Sequence, residues 1–301
     1  MGICAIVYNP VSGRKKFESA LPRVIERLER KGFTCNIHPT EYAGHATTLV
    51  QEILKDSIDL LIISGGDGTF NEAVNGLMQF ESLPMVGYIP TGTSCDVGKT
   101  LGLSKNIFKA LSVIEAGVSV HMDVVWSNYG YFTYVSAIGS YIDISYTTPS
   151  RWKRLLGYPA YLLMGVKSFF TIPKIPMRIN ADGVAFEDNY ALAIILNSRR
   201  VASFTLMKKP YLDDGKVDVL LYRYTPFVNN FLFLFSFMFG RKTLPRMQWL
   251  KVNKASFEPK SHRPWNQDGE KSNTGTLHIQ VMAKRLPIII QSKRKKYFPN
   301  Q

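Results

Sequence analysis

Residues 60–77 read LLIISGGDGTFNEAVNGL, an apolar run followed by three closely spaced glycines and a helix-like pattern. The run at 60–63 predicts a buried strand, and residues 73–77 predict the start of a helix. Glycines between a strand and a helix let the backbone approach a ligand and leave amide N–H groups directed at it. Asp67 lies inside this predicted loop, where a carboxylate can hold a metal ion that accompanies phosphate groups. The stretch therefore favours a phosphate-handling enzyme over an ordinary structural turn.

Strands and helices alternate on both sides of this stretch. The predicted strands of the first 122 residues lie at 3–8, 33–37, 60–63 and 86–89, and the predicted helices at 23–31, 47–54, 71–77 and 107–116. Such alternation predicts a parallel α/β sheet with helices on both faces.

After residue 123 the pattern changes to one dominated by strands. These are predicted at 131–138, 177–179, 190–196, 217–222, 251–257, 276–281 and 286–290, and only 155–170 and 227–239 favour helices. We therefore predict a fold of the α/β class with two domains. An N-terminal parallel-sheet domain is expected at 1–122, and a β-rich domain, sandwich-like or barrel-like, at 123–301.

The composition is that of a folded globular protein, with 301 residues of which 46% are hydrophobic and 20% charged. A net charge of +14 favours a polyanionic partner, either nucleic acid or an anionic membrane, or else a cation-rich surface that serves solubility. The three cysteines match no metal-ligand pattern and the N-terminal residues lack that of a signal peptide, so we expect a reduced, cytoplasmic setting. The apolar run 231–239 is shorter than the roughly 20 residues that span a bilayer.

Two further loops follow predicted strands of the first domain. One combines small residues with a hydroxyl and two cations, which suits either a phosphate-binding turn or an ordinary turn; its residues are Asn9, Pro10, Val11, Ser12, Gly13, Arg14 and Lys15. The other, 90–96, reads PTGTSCD and adds hydroxyl side chains and a second carboxylate, Asp96. Because ligands of open α/β sheets bind at the carboxyl ends of the strands, we expect all three loops to lie at one edge.

A fourth loop, 266–270, reads NQDGE and lies far downstream. Its two carboxylates, Asp268 and Glu270, suit a general base on a tight turn. An Asp-Gly pair is also a common signal for a surface β-hairpin, and the spacing alone favours that interpretation.

The motifs occur in a defined order along the chain. They are Asn9-Pro10-x-Ser12-Gly13, Gly65-Gly66-Asp67-Gly68-Thr69-x-Asn71-Glu72, Gly92-Thr93-x-x-Asp96, Met122-Asp123, Asp213-Asp214-Gly215-Lys216 and Asp268-Gly269-Glu270. With this ordered set, which extends from Ile6 to about Ile290, the chain resembles the diacylglycerol kinase catalytic family, in its bacterial soluble lipid kinase branch. It is similar also to sphingosine and ceramide kinases, whereas NAD kinases and phosphofructokinases share only the Gly-Gly-Asp-Gly-Thr motif.

The resemblance implies an ATP-binding first domain, a lipid-substrate second domain and an active site in the cleft between them. It implies phosphoryl transfer from ATP, with magnesium, to the hydroxyl of diacylglycerol or a related lipid. The residues implied to bind ATP are Asn9, Pro10, Val11, Ser12, Gly13, Thr40, Gly65, Gly66, Asp67, Gly68, Thr69, Phe70, Asn71, Glu72 and Thr93.

The same resemblance assigns roles to carboxylates. Asp268 and Glu270 are implied to lie beside the acceptor hydroxyl, with Glu270 as the favoured proton acceptor. The acidic network implied around a catalytic magnesium ion consists of Asp67, Asp96 and Asp123. A second, structural magnesium ion is implied at the Asp214 side chain and the backbone carbonyls of Tyr211 and Lys216. Where the family usually has Asn before the aspartate of the third loop, this chain has Cys95, a poor substitute in hydrogen bonding, so we expect altered contacts there.

A lipid substrate requires contact with a bilayer, so we expect peripheral association with an anionic membrane. Basic clusters of the second domain are candidates for this contact, at 151–154, 199–200, 208–209 and 241–242. Trp152 is expected to enter the interface, and the run 231–239 either does so or forms a core helix. The basic residues at 293–296 predict a solvated end, and a homodimer is the assembly that the resemblance suggests.

Three other functions stay open. An NAD kinase shares the glycine motif, a non-enzymatic nucleotide-binding regulator is favoured by Cys95 alone, and a nucleic-acid binder is favoured by the charge alone. Retention of the five carboxylates argues against a regulator. We predict ATP and a lipid alcohol as partners and no nucleic acid, while the motifs do not specify the lipid.

Overall fold

A computed structural model describes residues 2–139, 173–201, 204–207, 210–225 and 246–301. The helices predicted at 155–170 and 227–239 lie outside these ranges, as do Trp152 and the basic clusters at 151–154, 208–209 and 241–242. None of the helices within the described ranges has the length and hydropathy to cross a membrane.

The first part of the chain alternates strands with helices, as predicted. Its strands are β1 (Gly2–Tyr8), β2 (Phe33–Pro39), β3 (Leu60–Gly65) and β4 (Met85–Pro90). Its helices are α1 (Lys16–Glu29), α2 (His45–Ile53), α3 (Asp67–Leu77), α4 (Asp96–Leu101) and α5 (Ile107–Ala116), and a 3₁₀ turn at Ser12–Lys15 precedes α1.

The described part that follows is built from strands. They are β5 (Ser119–Ser127), β6 (Gly130–Phe132), β7 (Val135–Gly139), β8 (Ile175–Ala181), β9 (Val184–Leu196), β10 (Arg200–Val201), β11 (Phe204–Thr205), β12 (Val217–Arg223), β13 (Met247–Val252), β14 (Lys254–Pro259), β15 (Pro264–Gln267), β16 (Glu270–Thr274) and β17 (Leu277–Ile289). A second 3₁₀ turn, Ser292–Tyr297, follows β17.

The four N-terminal strands form a parallel sheet in the order β4-β3-β1-β2. Strand β17 continues this sheet, since Ile288 pairs in parallel with Val86 of β4. Along the rest of its length β17 pairs antiparallel with β5 and β14, and β9 pairs antiparallel with β7, β8 and β12. The predicted fold class, a parallel N-terminal sheet followed by a β-rich part, is confirmed. The boundary near residue 122 stays a prediction, and the end of β17 lies beside the N-terminal sheet.

Apolar residues on both faces of the parallel sheet explain why its strands read as continuous hydrophobic runs. In β1, Cys4 and Ile6 belong to the core beneath α1 and α5, whereas Ala5 and Val7 belong to the core beneath α2 and α3. Another core, which includes the fully buried Trp265, lies within the β-rich part.

Helix α3 begins earlier than predicted. Gly66 is extended at its N-cap and Asp67 is the first helical residue, so the prediction of a helix start at 71–73 was wrong. Glycine disfavours helix interiors, but an aspartate in the first turn is favoured by the helix dipole. The glycine motif is therefore a tight turn that passes directly into the helix.

Other boundaries differ from the predicted ones. The strand predicted at 131–138 is divided into β6 and β7, and that at 251–257 into β13 and β14. The strands predicted at 276–281 and 286–290 form the single strand β17, whose register shifts between Met282 and Leu286. The polar residues of this bulge, with Lys284 at φ 52°, interrupt the apolar pattern and hide the continuity of the strand. Helix α4 and strand β5 were not predicted, whereas the hairpin of β15 and β16 agrees with the signal of its Asp-Gly pair.

Candidate active site

The loops that follow β1, β3 and β4 meet at one edge of the parallel sheet. The backbone N–H of Asn9 donates to the carbonyl of Ser64 at 2.9 Å. Thr91 joins the third loop to both others, because its N–H donates to the Gly65 carbonyl at 2.9 Å and its hydroxyl to Ser12 Oγ at 3.0 Å. The structure therefore brings together the three loops that the sequence placed at strand ends.

Two of these loops touch through their backbones. A Cβ atom on Gly92 would lie 2.5 Å from the Cα of Gly66, closer than any side chain can approach. Asn9 lies on the other side of the glycine turn, with Nδ2 3.4 Å from Thr69 Oγ1. Any side chain at Gly92 would push the loops apart, so this position requires glycine for close approach.

Asp67 lies at the centre of the edge and is 8% exposed. Its carboxylate accepts hydrogen bonds from the backbone N–H groups of Asp96, at 3.0 Å, and Val97, at 3.2 Å, which open α4. Burial, with added repulsion from Asp96, raises the pKa of Asp67 to about 6. The carboxylate thus gains a proton within the range of ordinary physiological and mildly acidic pH.

Asp96 is almost fully buried and lies between two cations. Lys99 Nζ is 3.7 Å and Arg200 Nε 3.9 Å from its Oδ1. Arg200 comes from β10, so one member of the basic pair predicted to face a membrane lies beside this carboxylate. The contact also ties the β-rich part of the chain to the edge where the loops after β1, β3 and β4 meet, which we call the nucleotide edge because the residues expected to bind ATP lie there.

Cys95, the departure noted in the sequence, adopts φ +50° immediately before α4 and is buried. The left-handed region is one that Asn adopts more readily than other non-glycine residues. Burial, and then the nearby Asp67, raise the pKa of the Cys95 thiol to about 11, so the thiol is neutral. Cys95 acts here as a packed apolar residue in a backbone shape that suits Asn.

The remaining residues assigned to nucleotide binding have different surroundings. Thr40 follows β2 and its N–H donates to the last residue of β1 at 2.8 Å, which places it at the same edge. Glu72 accepts from the Ala46 N–H at 3.3 Å near the start of α2, and Phe70 is fully buried, with its ring 4.6 Å from that of Tyr88. The residues at the partly or fully exposed rim are Pro10, Val11, Gly13 and Thr93.

The fourth motif is the turn of the β15–β16 hairpin, in which Asp268 is buried while Gly269 and Glu270 are exposed. Asp268, 3% exposed, accepts four hydrogen bonds, from Thr133 N (2.6 Å), Thr133 Oγ1 (2.7 Å), Tyr134 N (3.0 Å) and Val135 N (2.9 Å). Burial raises its pKa to about 6, against hydrogen bonds that favour the ionised form. The turn is a hairpin, as its Asp-Gly pair indicates, but Asp268 itself is not a surface residue, because both of its oxygens are engaged inside the protein.

Glu270, two residues further, lies against the glycine turn. A Cβ atom on Gly68 would be 2.9 Å from Glu270 Oε1, so the carboxylate lies directly against this glycine and would have to shift to admit a side chain there. Asn71 joins the same two regions, since its amide nitrogen, turned towards them, donates to Asp268 Oδ2 at 3.0 Å and to the Tyr131 carbonyl at 3.1 Å. Glu270 is exposed at the protein surface, yet desolvation by the surrounding protein and, second, the charge of Glu72 raise its pKa, which makes it a stronger base.

Asp123 is fully buried, but its described contacts lead to a different turn. Its carboxylate accepts from Lys284 N and Gly215 N, both at 2.7 Å. Burial raises the pKa of Asp123 to about 6, and repulsion from Asp214 and Asp213 adds to this. The described hydrogen bonds thus join Asp123 to the turn at 213–216 rather than to Asp67 or Asp96.

Asp214, assigned by resemblance to a second magnesium ion, is paired with a lysine. Lys251 Nζ lies 2.5 Å from Asp214 Oδ2, and the Lys216 N–H donates to Oδ1 at 3.1 Å. The ammonium group also lies 5.0 Å from the ring centre of Tyr211. A metal ion at Asp214 would compete with Lys251, so this assignment stays a prediction.

Three polar residues where the N-terminal part of the chain meets the β-rich part were not identified as candidate site residues from the sequence. Thr133 binds Asp268, as described above. Asn75 exchanges two hydrogen bonds of 2.9 Å with the backbone of Tyr131 and so joins α3 to β6. Asn197, 3% exposed, donates to the carbonyls of Asp123 at 2.8 Å and Thr133 at 3.3 Å. Of these three, only Asn197 could have been identified from the sequence, because a polar residue that directly follows the predicted strand 190–196 lies at a strand end.

The carboxylates at the nucleotide edge fit a magnesium ion that keeps part of its water shell. Mg²⁺ takes oxygen ligands and is usually held by one or two carboxylates together with substrate phosphates. Asp67 and Asp96 supply two such carboxylates, and a cation beside them would offset the burial that raises the pKa of Asp67. Within the described ranges no group of three or more His, Cys, Asp or Glu side chains is placed to hold a metal ion alone.

Comparison with known proteins shows the family to which the chain belongs. Residues 4–127 match the family described as the diacylglycerol kinase catalytic domain. The chain is 36% identical over 217 residues to a diacylglycerol kinase of Staphylococcus carnosus, which covers 72% of this chain and 71% of the relative. A solved Bacillus anthracis structure shares the fold, with a TM-score of 0.85, 24% identity and coverage of 97% and 96%. A diacylglycerol kinase structure from the same organism gives a TM-score of 0.79, 26% identity and coverage of 97% and 98%.

Proposed function

This chain belongs to the diacylglycerol kinase family and is a lipid kinase, and we propose that it transfers the γ-phosphate of ATP, with Mg²⁺, to the hydroxyl of diacylglycerol or a related lipid alcohol. The product would be phosphatidic acid or its equivalent, within phospholipid metabolism. The observation that supports this most directly is the position of Glu270 over Gly68, which brings a carboxylate from the β-rich part against the glycine turn.

The glycine turn and the loops beside it would bind the phosphates of ATP. Glycines at 66, 68 and 92 keep the backbone uncovered where α3 begins, and helix N-termini favour anionic groups. Asn9, Ser12 and Thr91 fix the loops relative to one another. Phosphoryl transfer depends mainly on positioning and charge neutralisation. At this edge the loops would position the phosphates, and the N-terminus of α3 would favour their negative charge.

Glu270 would accept the proton of the lipid hydroxyl. Its raised pKa suits a base that must hold a proton during the transfer. Asp268 is a poorer candidate, because its two oxygens already accept four hydrogen bonds and its role is to position the turn. Magnesium, held by Asp67 and Asp96, would supply neutralisation of phosphate charge when bound.

A cytoplasmic enzyme that associates peripherally with an anionic membrane fits this activity. The net charge of +14 favours such a surface, and the substrate would lie in the bilayer.

Transfer of labelled phosphate from ATP–Mg²⁺ to lipids in mixed micelles tests the proposal. The acceptors are diacylglycerol, monoacylglycerol, phosphatidylglycerol, sphingosine and ceramide, with NAD as a further acceptor. We expect a labelled lipid from the wild type and from the control Asp56→Ala, an exposed carboxylate after α2, and none from Asp67→Ala or Glu270→Ala.

Two results would contradict the proposal. Labelled NADP in place of a labelled lipid would indicate an NAD kinase. ATP binding without transfer to any acceptor would indicate a regulator, and Cys95→Asn would then be tested for recovery of transfer.

A further inference from the structure

The 3₁₀ turn at Ser292–Tyr297 carries basic residues that the active site does not use. The sequence predicts a solvated end at the basic residues 293–296, yet the turn that carries them is anchored. Tyr297 is 2% and Phe298 3% exposed, and both belong to the core shared with the helices of the nucleotide edge. The lysines therefore project from a fixed element rather than from a loose tail.

The geometry of the turn separates the anchoring residues from the charges. Side chains three positions apart lie on the same face of a 3₁₀ helix. Arg294 and Tyr297 share the inner face, where Arg294 Nη1 donates to Tyr297 Oη at 2.9 Å. Lys293 and Lys296 share a second face and Lys295 lies on the third, and all three lysines are exposed. Two of the three faces thus present cations to solvent.

The neighbouring segment adds to this charge. Gln291 N donates to the Leu101 carbonyl at 3.1 Å, so the turn lies at the end of α4. Residues 99–106 and 291–301 together contain six Lys and Arg residues and no acidic residue, and of these six Lys99 lies beside Asp96 and Arg294 on the inner face of the turn. Among the described residues, none of the lysines at 293, 295 and 296 takes part in an ion pair.

Backbone hydrogen bonds also connect the turn to Asp123. Leu212 N donates to the Tyr297 carbonyl at 2.9 Å, and the Leu212 carbonyl accepts from Asp123 N at 2.8 Å. Two hydrogen bonds therefore separate the turn from a residue assigned to the acidic network. The turn is thus linked through the backbone to the strand that carries Asp123.

We propose that the basic turn at 292–297 is a docking surface for an anionic lipid bilayer. The proposal rests on the proposed function, since a lipid kinase must reach a substrate within a membrane. Each basic residue near an anionic bilayer adds about fivefold to binding. A nucleic acid is less well matched, because the turn buries its aromatic rings and so offers no surface on which bases stack.

Vesicle co-sedimentation tests the surface directly. The probes are vesicles of phosphatidylcholine alone and of phosphatidylcholine with equimolar phosphatidylglycerol. The wild type is compared with the turn variant Lys293→Gln/Lys295→Gln/Lys296→Gln and with the control Lys31→Gln/Lys55→Gln/Lys254→Gln. The control removes the same net charge from exposed lysines in the turns after α1 and α2 and at the start of β14.

We expect the turn variant to bind the anionic vesicles about 100-fold more weakly than the wild type, with a much smaller loss in the control. Equal losses in the two variants, or no loss in the turn variant, would overturn the proposal. A duplex oligonucleotide that binds more tightly than the vesicles, and only when the three turn lysines are present, would overturn it in favour of nucleic acid.

The activity assay is kept separate from binding. Phosphorylation of a short-chain diacylglycerol in neutral detergent micelles should be the same in the wild type and both triple variants. If the wild type phosphorylates no lipid but the turn variant still binds anionic vesicles more weakly, the proposed function is wrong and the docking surface is supported. If activity is present and the vesicle difference is absent, only the surface proposal fails.

Discussion

The nucleotide edge and the β15–β16 hairpin build one site in opposite ways. At the edge, glycines at 66 and 92 bring backbones into contact, and most of the joining hydrogen bonds involve main-chain groups. At the hairpin, a single side chain, Asp268, holds the turn through four donors from residues 133–135. The difference shows that the first region is shaped by short loops at strand ends, whereas the second depends on one carboxylate and partners distant in the chain.

Within the hairpin, Asp268 is expected to anchor the turn and Glu270 to act as the base. The substitution Glu270→Gln tests this division of roles with the largest expected effect. We expect kcat to fall by about 10²–10⁴, the usual contribution of a general base. The free energy of unfolding should change by less than about 0.5 kcal/mol, because the side chain is exposed. Lys271→Gln, on the same exposed hairpin edge, is the control and should leave kcat unchanged. A loss of less than tenfold in kcat would place the base elsewhere.

Asp268→Ala should act on the fold instead. Removing this carboxylate leaves buried donors at Thr133, Tyr134 and Val135 without their acceptor, at roughly 1–3 kcal/mol for each unsatisfied group. We expect the free energy of unfolding to fall by about 4 kcal/mol in urea titrations, while Glu270→Ala stays close to the wild type. A decrease below about 1 kcal/mol would mean that Asp268 does not anchor the turn.

The carboxylates of the nucleotide edge should show a smaller effect that depends on pH. The pKa of Asp67, about 6, lies above that of an unfolded aspartate, about 3.9. Protonation therefore favours the metal-free fold, which gains at most about 1.4 kcal/mol per pH unit as the pH falls from 6 towards 4 and loses this as the pH rises through 6.

Magnesium-dependent activity should change in the opposite direction, because the protonated carboxylate is a poor cation ligand. Below pH 6 we expect the Mg²⁺ concentration for half-maximal activity to rise up to tenfold per pH unit. Thermal unfolding and kinetics recorded over the same pH series check both trends. Activity with an unchanged magnesium requirement at pH 5 would exclude Asp67 as the titrating group.

The parallel sheet was predictable because its strands are buried on both faces. The runs at 3–8, 33–37, 60–63 and 86–89 all lie within observed strands. The loops after β1, β3 and β4 were predictable for the same reason, since once the strands are parallel their carboxyl ends must share an edge. The start of α3 was misplaced because glycines in the first helical turn conceal the helix in sequence.

The contacts between the nucleotide edge and the β15–β16 hairpin were much harder to predict from the sequence. Thr133 lies inside an apolar run and reads as strand interior, yet its hydroxyl and its N–H bind Asp268. The continuity of β17 was hidden by the bulge at 282–286, and the short helix α4 by its glycine and polar residues. The roles assigned to individual site residues therefore stay predictions that the variants above would test.

By itself the sequence determined the α/β class, the edge at which the glycine motif lies and, through the ordered motifs, the family. These properties follow from local patterns, since periodic burial and turn chemistry act over a few neighbouring residues. Only the tertiary structure decided that Asp268 is buried, that Glu270 lies over Gly68, and that Asp123 binds the turn at 213–216. The residue type of a carboxylate does not show whether it is buried, hydrogen-bonded or shifted in pKa. Their surroundings, which set exposure, hydrogen bonding and pKa, come from segments up to 161 positions apart and exist only after folding.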